Sequence, residues 1–342
     1  MFSLMNTLDN NSIYTTITIM KKIGIVTPGG DAPGMNTAIG TVLRLCRNEN
    51  GELIGINDGY SGLIKKDYFD FSPIRSDTIM GISGTILHSA RMPSFKQEKV
   101  VKEAAKNLLK EKIEGLIVIG GDGSFKGAMS LNKHSGVPIV GIPASIDNDI
   151  YGTDETIGFD TACNTALEAI NKIKDTAISF ERTFVVEIMG KKRGFLALEV
   201  GIASGAEVIL IPEVESPIDE IIEGLKKERK KGQTDAIIVM AEGVPERDKI
   251  TSIIEEKTRC STRKSTLGYI QRGGAPTKRS RMLAIEFAHH AYELIKTLPS
   301  RPSMVGLDGE EIITMDLEQS IQGYKEIDFK RYELHRLLSN IY

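Results

Sequence analysis

The sequence predicts an α/β protein of two stacked domains with mainly parallel sheets, and three observations carry that reading. Short apolar runs, mostly β-branched, alternate with longer stretches of helical period, the pattern of parallel strands with helices on both faces. Eight such runs in 342 residues are more than a single domain of ordinary size holds. Glycine is in excess at 33 residues and gathers behind several runs, where tight turns let backbone N–H groups face a phosphate.

Taken in order, residues 1–19 are rich in Thr, Asn and Ser, with neither a basic start nor a continuous apolar stretch. They read as a disordered N-terminal extension, not a signal peptide, and Met20 is the expected natural start. Strands are expected at residues 23–27, 53–56, 116–119, 139–142, 184–189, 208–211, 237–240 and 266–270. Helical spacing places Cys163, Ala166, Leu167, Ile170, Ile173 and Lys174 on one face, and Leu283, Phe287, His290 and Leu294 on another. The basic run at 226–231 ends an expected helix, where the dipole favours a solvated cationic tail.

Composition excludes several function classes. Lys and Arg number 43 against 46 Asp and Glu, a net charge of −3, so no positive field exists to hold nucleic acid or an anionic membrane. Cys46, Cys163 and Cys260 are far apart and odd in number, which argues against a disulfide framework and a zinc site and fits the reducing cytoplasm. No apolar run approaches the roughly 20 residues of a membrane helix.

Ligand sites in open parallel sheets form at the carboxyl ends of strands, and three turns there stand out. Pro28-Gly29-Gly30-Asp31-Ala32-Pro33-Gly34-Met35-Asn36 follows the first strand and opens a helix, as an anion cradle does; a tight turn without a ligand reads equally well. Ile119-Gly120-Gly121-Asp122-Gly123-Ser124 repeats the arrangement with an acid inside it. That acid would repel a phosphate unless Mg²⁺ lies between them, and the spacing is neither a Rossmann fingerprint nor a Walker A loop. Pro143-Ala144-Ser145-Ile146-Asp147-Asn148-Asp149-Ile150 sets two carboxylates two residues apart, which suits a general base beside a metal-associated acid; an Asx-rich turn is the alternative. Together the three point to phosphoryl transfer.

These segments, with Gly152-Thr153-Asp154, Thr156-Ile157-Gly158-Phe159-Asp160, Met189-Gly190, Ala241-Glu242-Gly243 and Gly268-Tyr269-Ile270-Gln271-Arg272-Gly273-Gly274, resemble the bacterial-type 6-phosphofructokinases from about Lys21 to the C-terminus. The resemblance implies two stacked Rossmann-like α/β domains, the phosphofructokinase fold. Residues 20–158 with about 271–320 would bind nucleotide, and 159–270 with about 321–342 would bind sugar phosphate. It implies transfer of a phosphoryl group from MgATP to the 1-hydroxyl of fructose 6-phosphate in a cytoplasmic homotetramer with shared sites.

By the same resemblance Asp147 is the general base, with Ser145 and Arg91 in the catalytic set, and Asp122 is the Mg²⁺ ligand with Asp149 close by. Gly30, Arg91, Met92, Gly121, Asp122, Gly123 and Ser124 make the nucleotide site. Ser145, Ile146, Asp147, Met189, Gly190, Lys191, Glu242 and Tyr269 line the sugar site, with Arg182, Arg263 and Arg272 on its 6-phosphate. Three departures bear on substrate affinity: Ser145 where threonine is usual, Tyr269 where histidine is common, and Lys191 in place of an arginine, without bidentate geometry.

Rival readings are a pyrophosphate-dependent member of the same fold, a lipid or NAD kinase sharing the Gly-Gly-Asp-Gly turn, and a nucleotide-sensing pseudoenzyme. Pyrophosphate-dependent relatives usually carry aspartate at the position of Gly123 and lysine at that of Ala144, so ATP is the expected donor. A second, effector site common in the family expects basic residues where this chain has Gly40, Pro73 and Gln233, while Arg44, Lys174 and Lys231 remain. Weak control by effectors is therefore expected.

Overall fold

The computed structural model describes residues 22–342; the expected extension and start lie outside the described residues. Its strands are β1 (Lys22–Val26), β2 (Glu52–Ile56), β3 (Tyr68–Asp70), β4 (Gly115–Gly120), β5 (Ile139–Pro143), β6 (Thr183–Ile188), β7 (Val208–Leu210), β8 (Ala236–Ala241), β9 (Thr262–Thr266), β10 (Ser303–Asp308) and β11 (Glu311–Asp316). Its α-helices are α1 (Met35–Asn48), α2 (Tyr60–Lys65), α3 (Ser76–Ile79), α4 (Glu98–Lys110), α5 (Asp122–Ser135), α6 (Phe159–Phe180), α7 (Phe195–Ser204), α8 (Ile218–Lys230), α9 (Arg247–Thr258), α10 (Lys278–Lys296), α11 (Leu317–Gln322) and α12 (Phe329–Leu338).

One sheet has seven strands in the order β11-β10-β5-β4-β1-β2-β3, the other four in the order β7-β8-β6-β9. Every pairing is parallel except β2 with β3 and β10 with β11. The central strands are apolar because both their faces are covered: along β4, Leu116 and Val118 enter one core while Ile117 and Ile119 enter the other. The second of these cores continues without a break into Val185, Val186 and Ile188 of β6, so one apolar mass joins the two sheets. Each such buried aliphatic side chain stabilises the fold by roughly 1.5–3 kcal/mol.

Seven expected strands coincide with β1, β2, β4 to β8 within a residue or two. The eighth is corrected: the strand is Thr262–Thr266, and Gly268–Arg272 is a 3₁₀ turn. β9 lies at a sheet edge, so its polar sequence carries no apolar signal, and Gly268 at φ 55° turns the chain out of the sheet. The hairpin of β10 and β11 closes through Gly309 at φ 61°, the positive φ that a two-residue loop needs.

β1 has β2 on one side and β4 on the other, so strand order reverses at β1. The loops behind β1, β4 and β5, three adjacent strands, therefore open on a common crevice at their carboxyl ends.

Candidate active site

Two glycine-rich loops form one wall of that crevice. Ser124 Oγ donates to the Pro28 carbonyl at 2.6 Å, and a Cβ on Gly29 would lie 3.0 Å from that hydroxyl, so the loops after β1 and β4 are keyed together. Ser124 is buried and its hydroxyl serves this link. A Cβ on Gly121 or Gly123 would meet nothing within 4 Å, so the second loop borders open space. Asp122 opens α5 there, with its carboxylate 2.7 Å from Lys126 and 45% exposed.

The third loop holds the two carboxylates. Ser145 N donates to Ile157 O and Ile157 N to Pro143 O, both at 3.0 Å, extending β5 by a bridge. Asn148 turns the chain at φ 52°, its amide held by the Asp154 carbonyl (3.1 Å) and its Oδ1 by Thr156 N (3.1 Å). Asp147 is 2% exposed. Its Oδ2 pairs with Lys191 Nζ at 2.5 Å, whereas its Oδ1 is buried with no hydrogen-bond partner. Burial pushes its carboxyl above the usual range, against the pull of Lys191; Asp149 adds to the rise and Arg272 opposes it.

Lys191 comes from the other sheet, in the turn after β6, and also lies 3.7 Å from Asp149 Oδ2. Burial lowers the affinity of its amine for the proton, but Asp147 and Asp149 outweigh that and hold the ammonium charged. Glu242 Oε1 accepts from Lys191 N (2.6 Å) and Gly190 N (3.2 Å), which ties the turns after β6 and β8. Arg272 reaches the same crevice: Nη1 is 3.4 Å from Asp31 Oδ1 and would lie 3.1 Å from a Cβ on Gly30. Two cations, a buried carboxylate and two glycine-rich turns thus converge from both sheets.

The profile described as Phosphofructokinase matches residues 22–295. The chain belongs to the phosphofructokinase family. Its curated relatives include the ATP-dependent 6-phosphofructokinase of Persephonella marina, 46% identical over 94% of this chain and all of that one. That of Lysinibacillus sphaericus is 45% identical over the same shares. Among solved structures, Saccharomyces cerevisiae phosphofructokinase superposes with a TM-score of 0.81 at 30% identity, covering 94% of this chain but 47% of the yeast chain. A pyrophosphate-dependent phosphofructokinase from Marinobacter aquaeolei shares the fold, with a TM-score of 0.78 at 20% identity.

The remaining expected residues of this family member divide into two groups. Met189, Gly190 and Ile146 lie in the turns already described, and Tyr269 is 81% exposed, its ring 5.8 Å from the Arg272 guanidinium. Arg91 is exposed and Met92 half-buried, in a segment held to the first loop by Gly29 N donating to Ala90 O at 3.2 Å. Arg182 and Arg263 stand apart, before and at the amino ends of β6 and β9. The six residues of β6 span roughly 20 Å, so neither arginine shares a strand end with Lys191. Arg182 stacks on Phe180 at 4.7 Å, and Arg263 pairs with Glu255 at 3.2 Å.

Sequence reasoning assigned no role to Asn148 or Arg247. Arg247 donates to the Glu242 carbonyl and lies 3.7 Å from buried Glu187. The Asn between two aspartates was a readable signal for a left-handed turn; Arg247 opens a surface helix and carries no such signal.

Proposed function

We propose that the chain transfers the γ-phosphoryl group of ATP to the 1-hydroxyl of fructose 6-phosphate, giving fructose 1,6-bisphosphate and ADP. The observation that carries this is Asp147: a buried carboxylate with one unpartnered oxygen, paired with a cation, in the loop next to the glycine-rich turns after β4 and β1. A sugar hydroxyl brought to this carboxylate gives it its proton as the hydroxyl oxygen bonds to the γ-phosphorus and the bond to the ADP oxygen breaks. The raised proton affinity of Asp147 favours this transfer. Charge gathering on the phosphoryl oxygens is opposed by Lys191, by Arg91 and by N–H groups of the glycine loops.

Magnesium fits Asp122. That ion takes one or two carboxylates and completes its shell with water and substrate phosphates, so an exposed carboxylate at a phosphate loop suffices. Among the described residues no cluster of three or more His, Cys, Asp or Glu forms an all-protein cage. Bound there, Mg²⁺ would neutralise polyphosphate charge.

We assign residues 20–158 with about 271–320 to the nucleotide and 159–270 with about 321–342 to the sugar phosphate, in a cytoplasmic homotetramer. Among the described residues no helix is long and apolar enough to cross a membrane. Gly123 and Ala144 support ATP over pyrophosphate: an aspartate at 123 would occupy the open space beside the loop, and alanine offers pyrophosphate no cation. A coupled assay with fructose 6-phosphate and each donor tests both points. Turnover with ATP is expected to exceed that with pyrophosphate, and the reverse order overturns the donor assignment.

A further inference from the structure

We propose that Glu242 is a positioning residue: its carboxylate fixes the backbone of Lys191 so that the lysine ammonium stands on the catalytic carboxylate. The inference rests on the phosphoryl-transfer reading of this site and deepens it.

Lys191 adopts φ 53°, a left-handed conformation disfavoured for a residue with a side chain. Something must hold it there. Gly190, at φ 142°, admits no side chain, because a Cβ would lie 2.5 Å from the Arg193 carbonyl. The turn is closed by Arg193 N donating to Gly190 O at 2.9 Å. Its two successive N–H groups, those of Gly190 and Lys191, point to one acceptor, and such a pair of amides suits an anion. Glu242 Oε1 fills it, at 3.2 Å from Gly190 N and 2.6 Å from Lys191 N.

Glu242 is itself anchored. Its N–H donates to Ile188 O at 2.8 Å, and its carbonyl accepts from Arg247. The next residue, Gly243, would place a Cβ 2.6 Å from the Lys191 carbonyl, so the two turns abut. From this support Lys191 crosses to the other sheet and meets Asp147 at 2.5 Å and Asp149 at 3.7 Å. Without Glu242 two N–H groups lose their acceptor, the left-handed turn loses its anchor, and the ammonium swings away from Asp147. Glu242 Oε2 stays available to a sugar hydroxyl, so the two roles separate: one acts on kcat through Lys191, the other on KM directly.

The test is a double-mutant cycle on the full chain with fructose 6-phosphate and ATP. Glu242→Ala is expected to lower kcat by roughly 10²-fold, the cost of a misplaced catalytic group. In a Lys191→Met background the same substitution should cost less than about threefold in kcat. Glu242→Gln keeps an oxygen acceptor for both N–H groups and should retain kcat while raising KM. Multiplicative losses in kcat, or a Gln variant as slow as Lys191→Met, overturn the proposal. A crystal structure of the Glu242→Ala protein reads the same point without turnover: Lys191 should leave the left-handed region and Asp147, and an unchanged contact overturns it. A wild-type protein inactive on fructose 6-phosphate defeats the activity assignment instead.

Discussion

Asp147 shows how burial and pairing divide the work of one carboxylate. Its Oδ2 is held by Lys191 at 2.5 Å, which orients the group, and its Oδ1 is left buried and unpartnered, which leaves a strong acceptor for a proton. Replacing Asp147 with Asn keeps the shape and removes the proposed base. General-base loss costs roughly 10²–10⁴ in rate, so kcat should fall by that factor while nucleotide affinity, measured by calorimetry with MgATP, stays near normal because Asp122 is untouched. Near-normal turnover in the variant would remove Asp147 from the mechanism. The carboxylate pair was legible in the sequence because the Ser-Ile-Asp-Asn-Asp turn follows an apolar strand, at the sheet edge where ligand sites form. The orientation of Lys191 was not, since it depends on a left-handed residue and on Glu242 from a turn some fifty residues away.

At the scale of elements, legibility followed burial. β1, β4, β5, β6 and β8 are covered on both faces, so their sequences must be apolar and β-branched and they announce themselves. β3, β9 and β11 are edge strands whose pairing is set by neighbours, not by their own pattern, and sequence reasoning missed or misplaced them. β10 is the exception to the rule: it is interior and buried, yet it was missed as well. The segment joining α11 to α12 was equally unreadable, yet it carries a half-buried cation. Lys325 Nζ donates to the Asp154 carbonyl at 2.9 Å, beside the turn that carries Asp147 and Asp149. Burial lowers its pKa to about 8, against the pull of Asp154, Asp149 and Glu155 and with the push of Arg193. The unfolded chain keeps the ordinary lysine value of about 10.4 and binds more protons between those two pH values, so stability rises with pH there. Urea midpoints measured at pH 7 and pH 10 should therefore diverge from those of Lys325→Met. The wild type gains relative to the variant on the alkaline side, and parallel curves would show that the amine is not buried as its contacts indicate.

For the whole molecule, the two strand-end placements matter most. Lys191 follows the carboxyl end of β6 and meets Asp147, while Arg182 precedes the same strand and Arg263 is paired beside it, with Phe184 opposite Arg263. One chain cannot bring both ends of a strand to one sugar phosphate, so the two arginines should serve a neighbouring subunit. Mixed Asp147→Asn and Arg182→Ala chains are then expected to regain activity in hybrids; hybrids that form and stay inactive would rule out shared sites. Regulation follows from positions elsewhere in the chain. A Cβ on Gly40 would lie 2.7 Å from Met80 Cγ and 3.0 Å from the Ser76 carbonyl, so α3 already fills the space a basic side chain would need. Gln233 is turned to Glu207 at 3.3 Å, Lys231 to Glu228 at 2.7 Å and Lys174 to the Ser204 carbonyl at 2.5 Å. Arg75, two residues from Pro73, is committed to Asp77 at 2.7 Å. Each missing cation removes a charge-assisted hydrogen bond worth roughly 1.5–3 kcal/mol, so three losses weaken a phosphate-bearing effector by several orders of magnitude. An effector shifts a conformational equilibrium only by its differential affinity for the two states. Kinetics in fructose 6-phosphate should therefore be near-hyperbolic and almost unmoved by phosphoenolpyruvate or ADP at subsaturating sugar phosphate, with product inhibition by ADP controlled. A sigmoidal shift at sub-millimolar effector would mean that the cations now paired within the chain are released to bind it.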